Sequence, residues 1–289
     1  KIEFALVCRW AFPKSTGGVA MHNYYSNKSL MNFFHFYICS INSKLNSNYY
    51  KNNGIQYDSI IPPDWLIRFA NLSPGFIKNI IRSISDKLIS NLFEKKLLNK
   101  TCLNEFMDIH SEGYSFLKNN PGKRKTSIIR SHTPFGLLRK YFTDSELNGL
   151  DTWFAFSREK KCFEWAGSIT TPSNDLKEQL IDLYQIDPKK VNVIPNMLDT
   201  NHFRPLLKPK SDQFTILHVG RFERAKGVET LVKAFIELSK TIKNIKLINI
   251  GVPRGPSLRK CMNWLENEDL FYNVEFTGFV QYEELPIHY

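Results

Sequence analysis

The chain has 289 residues, 42% of them hydrophobic, with 39 Lys+Arg against 28 Asp+Glu and 14 each of Gly and Pro. That composition excludes disordered, collagen-like and disulfide-scaffold classes, and at roughly 100–200 residues per domain the length suits two domains. Residues 1–140 carry 20 Lys+Arg and 8 Asp+Glu while the rest carry 19 and 20, so the basic excess lies wholly in the first half.

Such asymmetry points to an anionic partner for that half, a phospholipid surface, a phosphorylated substrate or nucleic acid, with a solvated face as the plain alternative. The near-continuous apolar run Ile2–Cys8 predicts a buried strand, followed by AFPKSTGG and a helical pattern from Val19 to Met31. FFHFYIC (33–39) and QYDSII (56–61) give two more strands. Residues 76–100 set Ile77, Ile80, Ile81, Ile84 and Leu88 at helical spacing among Lys78, Arg82, Lys87, Lys95, Lys96 and Lys100. This is a basic amphipathic helix, which packs on a sheet or lies at a membrane interface.

Short strands are expected near Met107–Ile109, at 126–131, at 168–171 and at 191–196, with Ser173 capping a helix that runs to Tyr184. Strands buried on both faces and separated by helices argue for a doubly wound parallel α/β domain over residues 1–200. Pro205 and Pro209 interrupt a stretch without periodicity, and residues 201–213 read as a linker. A second α/β pattern then occupies 214–289: strands 214–220, 246–251 and 274–278 alternate with helices 227–240 and 256–267, and a further helix begins in YEELPIHY. Three strands are fewer than the six or so usual in a nucleotide domain of this kind, so this domain reads as incomplete.

Several chemistries drop out. The five cysteines, Cys8, Cys39, Cys102, Cys162 and Cys261, lie at least 31 residues apart, so no CxxC or zinc spacing exists and reduced thiols in a cytoplasm are expected. No metal site is expected. MNFFHFYICSI (31–41) is about half the ~20 residues of a membrane span, and no signal-peptide pattern follows Lys1. There is no zinc finger, RNP string or zipper, so a nucleic-acid partner is not expected. GxGxxG is absent after every strand, and GRFERAKG (220–227) has the wrong order for a P-loop.

Two features suit an anionic ligand. Gly17-Gly18 sits between a strand and a helix, where bare amides and the helix dipole favour negative charge; a tight turn explains the pair equally well. Arg221 directly follows ILHVG, and Lys226 precedes Gly227 and a helix, so both cations fall at the carboxyl edge of a parallel sheet, where open α/β folds bind ligands. An arginine fork and a lysine point charge together can neutralise a diphosphate leaving group.

HVGRFERAKGVETLVKAFIEL, KLINIG and NVEFTGFVQYEELPIHY resemble the carboxyl-terminal domain of family-4 glycosyltransferases of the GT-B fold. Upstream, FPKSTGGVAMH is similar to that family's first Gly-rich loop, AGSITTPSNDLKEQL to its capped helix before the hinge, and VNVIPNMLDTNHFRP to its hinge. Residues from about Asn32 to Asn104 match nothing, as a variable acceptor region would. The resemblance implies two doubly wound domains facing a cleft and a retaining, metal-independent transfer of a sugar, hexosyl in type, in a polysaccharide pathway. It needs no cofactor beyond the nucleoside-diphosphate sugar, which is a co-substrate. The acceptor would be a glycan or lipid-linked hydroxyl, and the location cytoplasmic, with peripheral contact on the anionic inner face of the membrane.

Residue by residue, the resemblance implies that Gly17 and Gly18 offer amides to the donor diphosphate and that Arg221 and Lys226 bind its oxygens. On the same resemblance Phe279 and Val280 fall in the nucleotide-base region and His132 in RSHTPF is the catalytic histidine beside the transferred sugar; a loop histidine serving only structure is the alternative, and His110 in DIHSEG competes for the role. Two departures stand out. Met197 replaces the hinge glycine, and the family's Glu-x7-Glu motif would lie beyond Tyr289; neither Asp199 nor Glu223 replaces it. The alternative is therefore a non-catalytic binding module with a basic surface for anionic membranes or glycans. An isomerase or phosphorylase on the same fold is a further alternative, although no lysine is evidently placed for a pyridoxal phosphate Schiff base.

Overall fold

Alternation along β1 (Ile2–Val7) decides the layering of the first sheet: Ala5 and Val7 enter one apolar core and Phe4 and Leu6 another. Tyr37 and Cys39 against Phe36 and Ile38 repeat the division on β2 (Phe34–Ile41), so this sheet is buried on both faces. Each buried Val, Leu, Ile or Phe side chain among them contributes roughly 1.5–3 kcal/mol, so the two-faced burial is a large stabilising term of the unit.

The computed structural model describes residues 1–9, 11, 18–41, 44–53, 55–65, 68, 75–99, 103–138, 150–206, 212–252 and 256–289. The chain divides into two units, Lys1–Leu198 and Asp199–Tyr289. The first continues with α1 (Gly18–Leu30), α2 (Lys44–Asn52), β3 (Gln56–Ile60), α3 (Gly75–Leu97), β4 (Leu103–Met107), α4 (Tyr114–Asn119), β5 (Ser127–Arg130), α5 (Phe135–Leu138), α6 (Leu150–Trp165), β6 (Ser168–Thr171), α7 (Asn174–Tyr184) and β7 (Val191–Val193). Its seven strands are all parallel, in the order β3-β2-β1-β4-β5-β6-β7. The order reverses between β1 and β4, and open α/β sheets bind ligands at the carboxyl ends of strands flanking such a reversal.

In the second unit β8 (Phe214–Val219), α8 (Val228–Ser239), β9 (Ile245–Ile250), α9 (Pro256–Asn267), β10 (Val274–Gly278) and α10 (Leu285–His288) build a parallel three-stranded sheet in the order β10-β9-β8. The α/β fold class with parallel sheets is as expected, and the three strands of this sheet match the three read from the sequence. Residues 201–206, expected to begin a linker, belong to this unit, where the His202 ring stacks on Tyr282 with centroids 4.8 Å apart.

Local differences have physical causes. The strand expected near 107–109 lies earlier, at Leu103–Met107, because Asp108 begins a turn in which the Ser111 N–H donates to the Asp108 carbonyl. In α3 the packed face is Asp86, Ile89, Ser90, Phe93 and Leu97, while Ile84 of the expected apolar stripe is 51% exposed. Ser173 caps α7 as expected, its hydroxyl accepting the Leu176 N–H at 3.2 Å. Among the described residues no helix is long and apolar enough to cross a membrane.

Candidate functional site

The loops beyond β4 and β5 carry backbone groups that the sheet no longer pairs, and a buried carboxylate satisfies them. Asp108 Oδ2 accepts the Ser131 hydroxyl at 2.8 Å, the His132 N–H at 3.0 Å and the Thr133 N–H at 3.1 Å, while Oδ1 accepts the Ile109 N–H at 2.8 Å. Burial pushes its pKa up, and these four donors oppose that rise. Glu159 on α6 holds the next stretch of the same loop, accepting the Phe135 N–H at 2.7 Å, the Gly136 N–H at 3.1 Å and the Tyr184 hydroxyl. Two carboxylates therefore fix the chain on either side of Pro134.

The His132 ring lies in a polar cluster at this carboxyl edge. Arg130 Nε donates to His132 Nε2 at 3.4 Å, and Arg130 Nη2 donates to Asn196 Oδ1 at 2.9 Å. The ring centroid is 5.1 Å from that of His22 on α1, at an edge-to-face angle of 68°. His22 Nδ1 in turn accepts the Met197 N–H at 3.2 Å. Burial, with Arg130 and His22 beside it, lowers the His132 pKa to about 3; burial and Arg130 lower that of His22 to about 4. Both rings are neutral at physiological pH. Because Arg130 occupies Nε2, His132 carries its proton on Nδ1, which makes it a hydrogen-bond donor rather than a cation.

His110 sits elsewhere. It is 6% exposed and turned to Asp86, with Nδ1 3.5 Å from Oδ1, in a cluster where Arg9 Nη1 contacts the same oxygen at 2.7 Å. Burial would raise the Asp86 pKa, but the His110 hydrogen bond and the Arg9 charge outweigh it and hold the carboxyl low. Glu112 lies 3.7 Å from Arg9, and burial pushes it up to about 7.

In the second unit each strand ends on glycine: Gly220 directly after β8, Gly251 directly after β9 and Gly278 at the end of β10. Gly251 N–H donates to the Gly278 carbonyl at 2.7 Å, and a Cβ on Gly251, whose φ is 135°, would lie 2.1 Å from the Gly220 carbonyl oxygen. The edge is thereby stripped of side chains. Arg221 follows at once, its guanidinium 60% exposed and 2.9 Å from Glu223, an exposed pair of small worth that leaves it able to change partner. A 3-10 turn (Arg224–Lys226) then leads to Gly227, which takes φ 71° to cap α8 without a side-chain bond, so exposed Lys226 stands at an uncapped helix N-terminus of the kind that attracts anions.

Gly18 opens α1 and is exposed; Gly17 lies outside the described residues. Phe279 is 58% exposed and Val280 half-buried, directly after Gly278. The sequence reading missed Asp108, Arg130, His22 and Glu159. The signal for His22 was present: α1 buries Ala20, Met21, His22, Asn23 and Asn27, an unusually polar buried face for a helix on an apolar sheet.

Comparison with known proteins agrees with this architecture. A family model for "Glycosyltransferase Family 4" matches residues 107–202, and one for "Glycosyl transferases group 1" matches 199–289. Together the two glycosyltransferase models match residues 107–289, and the α/β architecture with its parallel sheets is that of GT-B glycosyltransferases. It is 29% identical to one component of the phosphatidylinositol N-acetylglucosaminyltransferase of Arabidopsis thaliana over 114 residues, 39% of this chain and 25% of that protein. It is 22% identical to the GPI3 component of the Saccharomyces cerevisiae enzyme of the same name over 304 aligned positions, 98% of this chain and 60% of that protein. The chain thus spans less than two thirds of these relatives' length. Among solved structures, Alr3699/HepE of Anabaena in complex with UDP-glucose aligns over 97% of this chain and 70% of its own, with 13% identity and a TM-score of 0.59.

Proposed function

We propose that this chain serves a retaining, metal-independent transfer of a sugar from a nucleoside-diphosphate sugar to a lipid-linked or glycan hydroxyl. The observation that carries the reading is the glycine-ended edge of the second sheet with Arg221 and Lys226 beside it. Departure of the diphosphate builds negative charge, and a guanidinium fork plus a mobile ammonium at a helix N-terminus stabilise that charge where a divalent cation otherwise would. Phe279 and Val280, just past Gly278, take the base. Gly17 and Gly18 offer amides to phosphate, as the resemblance implies. Neutral His132 donates Nδ1–H to a hydroxyl of the transferred sugar, orienting it without adding charge.

UDP is the favoured nucleotide because the Anabaena structure holds UDP-glucose. The phosphatidylinositol-modifying relatives support a lipid-linked acceptor. Exposed Ile84 and Lys87 on α3 support peripheral contact with an anionic membrane on its cytoplasmic side.

Calorimetric titration of the chain with UDP, GDP, ADP and their sugars, without added metal, tests the reading. Binding of one nucleotide, lost in Arg221→Ala plus Lys226→Ala, is expected. A folded chain that binds none of them, or a double variant that binds equally well, overturns the donor assignment.

A further inference from the structure

The segment that leaves β7 and enters the second unit, Ile194–Leu198, is exposed, yet it is tied back at two consecutive residues. Asn196 Oδ1 receives Arg130 Nη2 at 2.9 Å, and the Met197 amide donates to His22 Nδ1 at 3.2 Å. Arg130 and His22 are 2% and 4% exposed, so both ties reach an exposed strand of chain from buried anchors. The same two side chains meet at His132: Arg130 Nε donates to its Nε2, and the His22 ring packs on it edge to face with centroids 5.1 Å apart.

The geometry points to His22 as a positioning residue that couples the segment 194–198 to the His132 imidazole. The Met197 amide fixes the His22 tautomer, because a ring nitrogen that accepts cannot also carry the proton; His22 therefore holds its hydrogen on Nε2. That bond also fixes the ring plane, and the plane sets the edge that His132 packs against. If the segment swings away, His22 loses its only described hydrogen bond, its ring is free to rotate, and His132 loses one wall. The bond is made to backbone and is indifferent to the Met197 side chain, which is 39% exposed. The inference deepens the role proposed for His132 and rests on that reading for its catalytic meaning, but the coupling itself does not depend on activity.

Nitrogen-15 spectra of the histidine rings, with hydrogen exchange at the Met197 amide, test it on the intact chain. In the wild type His22 is expected as the Nε2–H tautomer and His132 as the Nδ1–H tautomer, with Met197 protected although its residue is exposed. His22→Phe keeps a ring but no acceptor: Met197 exchange should rise about tenfold, the factor that one hydrogen bond of ordinary net strength supplies, and the His132 ring signals should shift. His22→Asn, whose amide oxygen can accept, should restore Met197 protection. A merely structural role would lower the melting temperature without shifting the His132 ring signals. Fast Met197 exchange or an Nδ1–H tautomer of His22 in the wild type overturns the coupling whatever the variants do. Failure to bind any nucleotide would instead overturn the donor reading and leave these signals unchanged.

Discussion

Asp108 holds His132 by its backbone and leaves its ring free, accepting the His132 N–H at 3.0 Å while Arg130 and His22 address the imidazole. Position and electronics of the histidine are thus set by different residues. Asp108→Asn should separate them. An amide offers one acceptor oxygen and an NH2 group in place of two acceptors, so at least one of the buried donors Ser131, His132, Thr133 or Ile109 would lose its partner. The expected loss is about 2–4 kcal/mol of unfolding free energy, against under about 1 kcal/mol for His132→Ala, whose half-buried ring leaves the loop pinned. Urea unfolding of both variants gives the comparison; equal losses would show that the ring, not the carboxylate, secures the loop.

Stability should fall as pH rises from about 6.5 to 8. Burial, helped by the nearby Asp108 charge, pushes Glu159 up to about 8, and burial pushes Glu112 up to about 7. In the unfolded chain both ionise near 4.5, so above that pH the unfolded state has lost protons that the native state keeps, and the native state is penalised. The depressed histidines His22 and His132 act oppositely: their stabilisation is complete above about 6.5 and is lost as pH falls below it, which offsets the carboxyl trend at acid pH. The net decline of roughly 2 kcal/mol appears on the alkaline side. Glu159→Gln mimics the protonated carboxyl, with its oxygen toward the Phe135 N–H and its NH2 toward the Tyr184 oxygen, and should flatten the decline. An unchanged slope in that variant would assign the proton uptake elsewhere.

Both sheets were legible because their strands leave short apolar-rich runs such as IEFALV and KLINI, those of the first sheet packing on two faces. The placement of Arg221 and Lys226 between the end of β8 and α8 was legible because strand, glycine and helix stand in fixed order around them. The helices α2 and α6 were not. α2 is anchored by Tyr50, 2% exposed, and by Asn46 Nδ2 donating to the Ala11 carbonyl at 3.1 Å, so little apolar periodicity betrays it. In α6 the exposed Trp153 and Phe154 blur the stripe that Phe156 and Phe163 begin. Asp108 and Glu159 escaped for a different reason: a carboxylate that serves backbone amides 24 residues away leaves no local pattern.

Gly251→Ala should unfold the second unit or displace the end of its sheet. The added Cβ would stand 2.1 Å from a backbone oxygen, and its φ of 135° is strained for any L residue. A loss of at least about 2 kcal/mol is expected, against about 1 kcal/mol for Gly227→Ala, where open space surrounds the Cβ and only the left-handed conformation is penalised. Thermal unfolding followed by circular dichroism distinguishes the two; equal shifts would mean that strain alone, not the close approach of β8 and β9, makes Gly251 necessary.

If Arg221 binds the donor diphosphate as proposed, Glu223 competes with phosphate for it. Its Oε1 lies 2.9 Å from Arg221 Nη2 in a pair whose members are 27% and 60% exposed, so the bond is worth only about 0.2–1 kcal/mol, and a bound diphosphate must displace it. Glu223→Ala should therefore tighten nucleotide binding by up to about fivefold, the equivalent of that energy. The gain should shrink at high salt, where screening already weakens the competing pair. Arg221→Lys should weaken binding, since a point charge replaces a fork that matches two phosphate oxygens, and in that variant removal of Glu223 should gain less. Titration of the three variants at low and high salt decides the matter. Weaker binding in Glu223→Ala would mean that the carboxylate holds the guanidinium in its working position instead of competing for it.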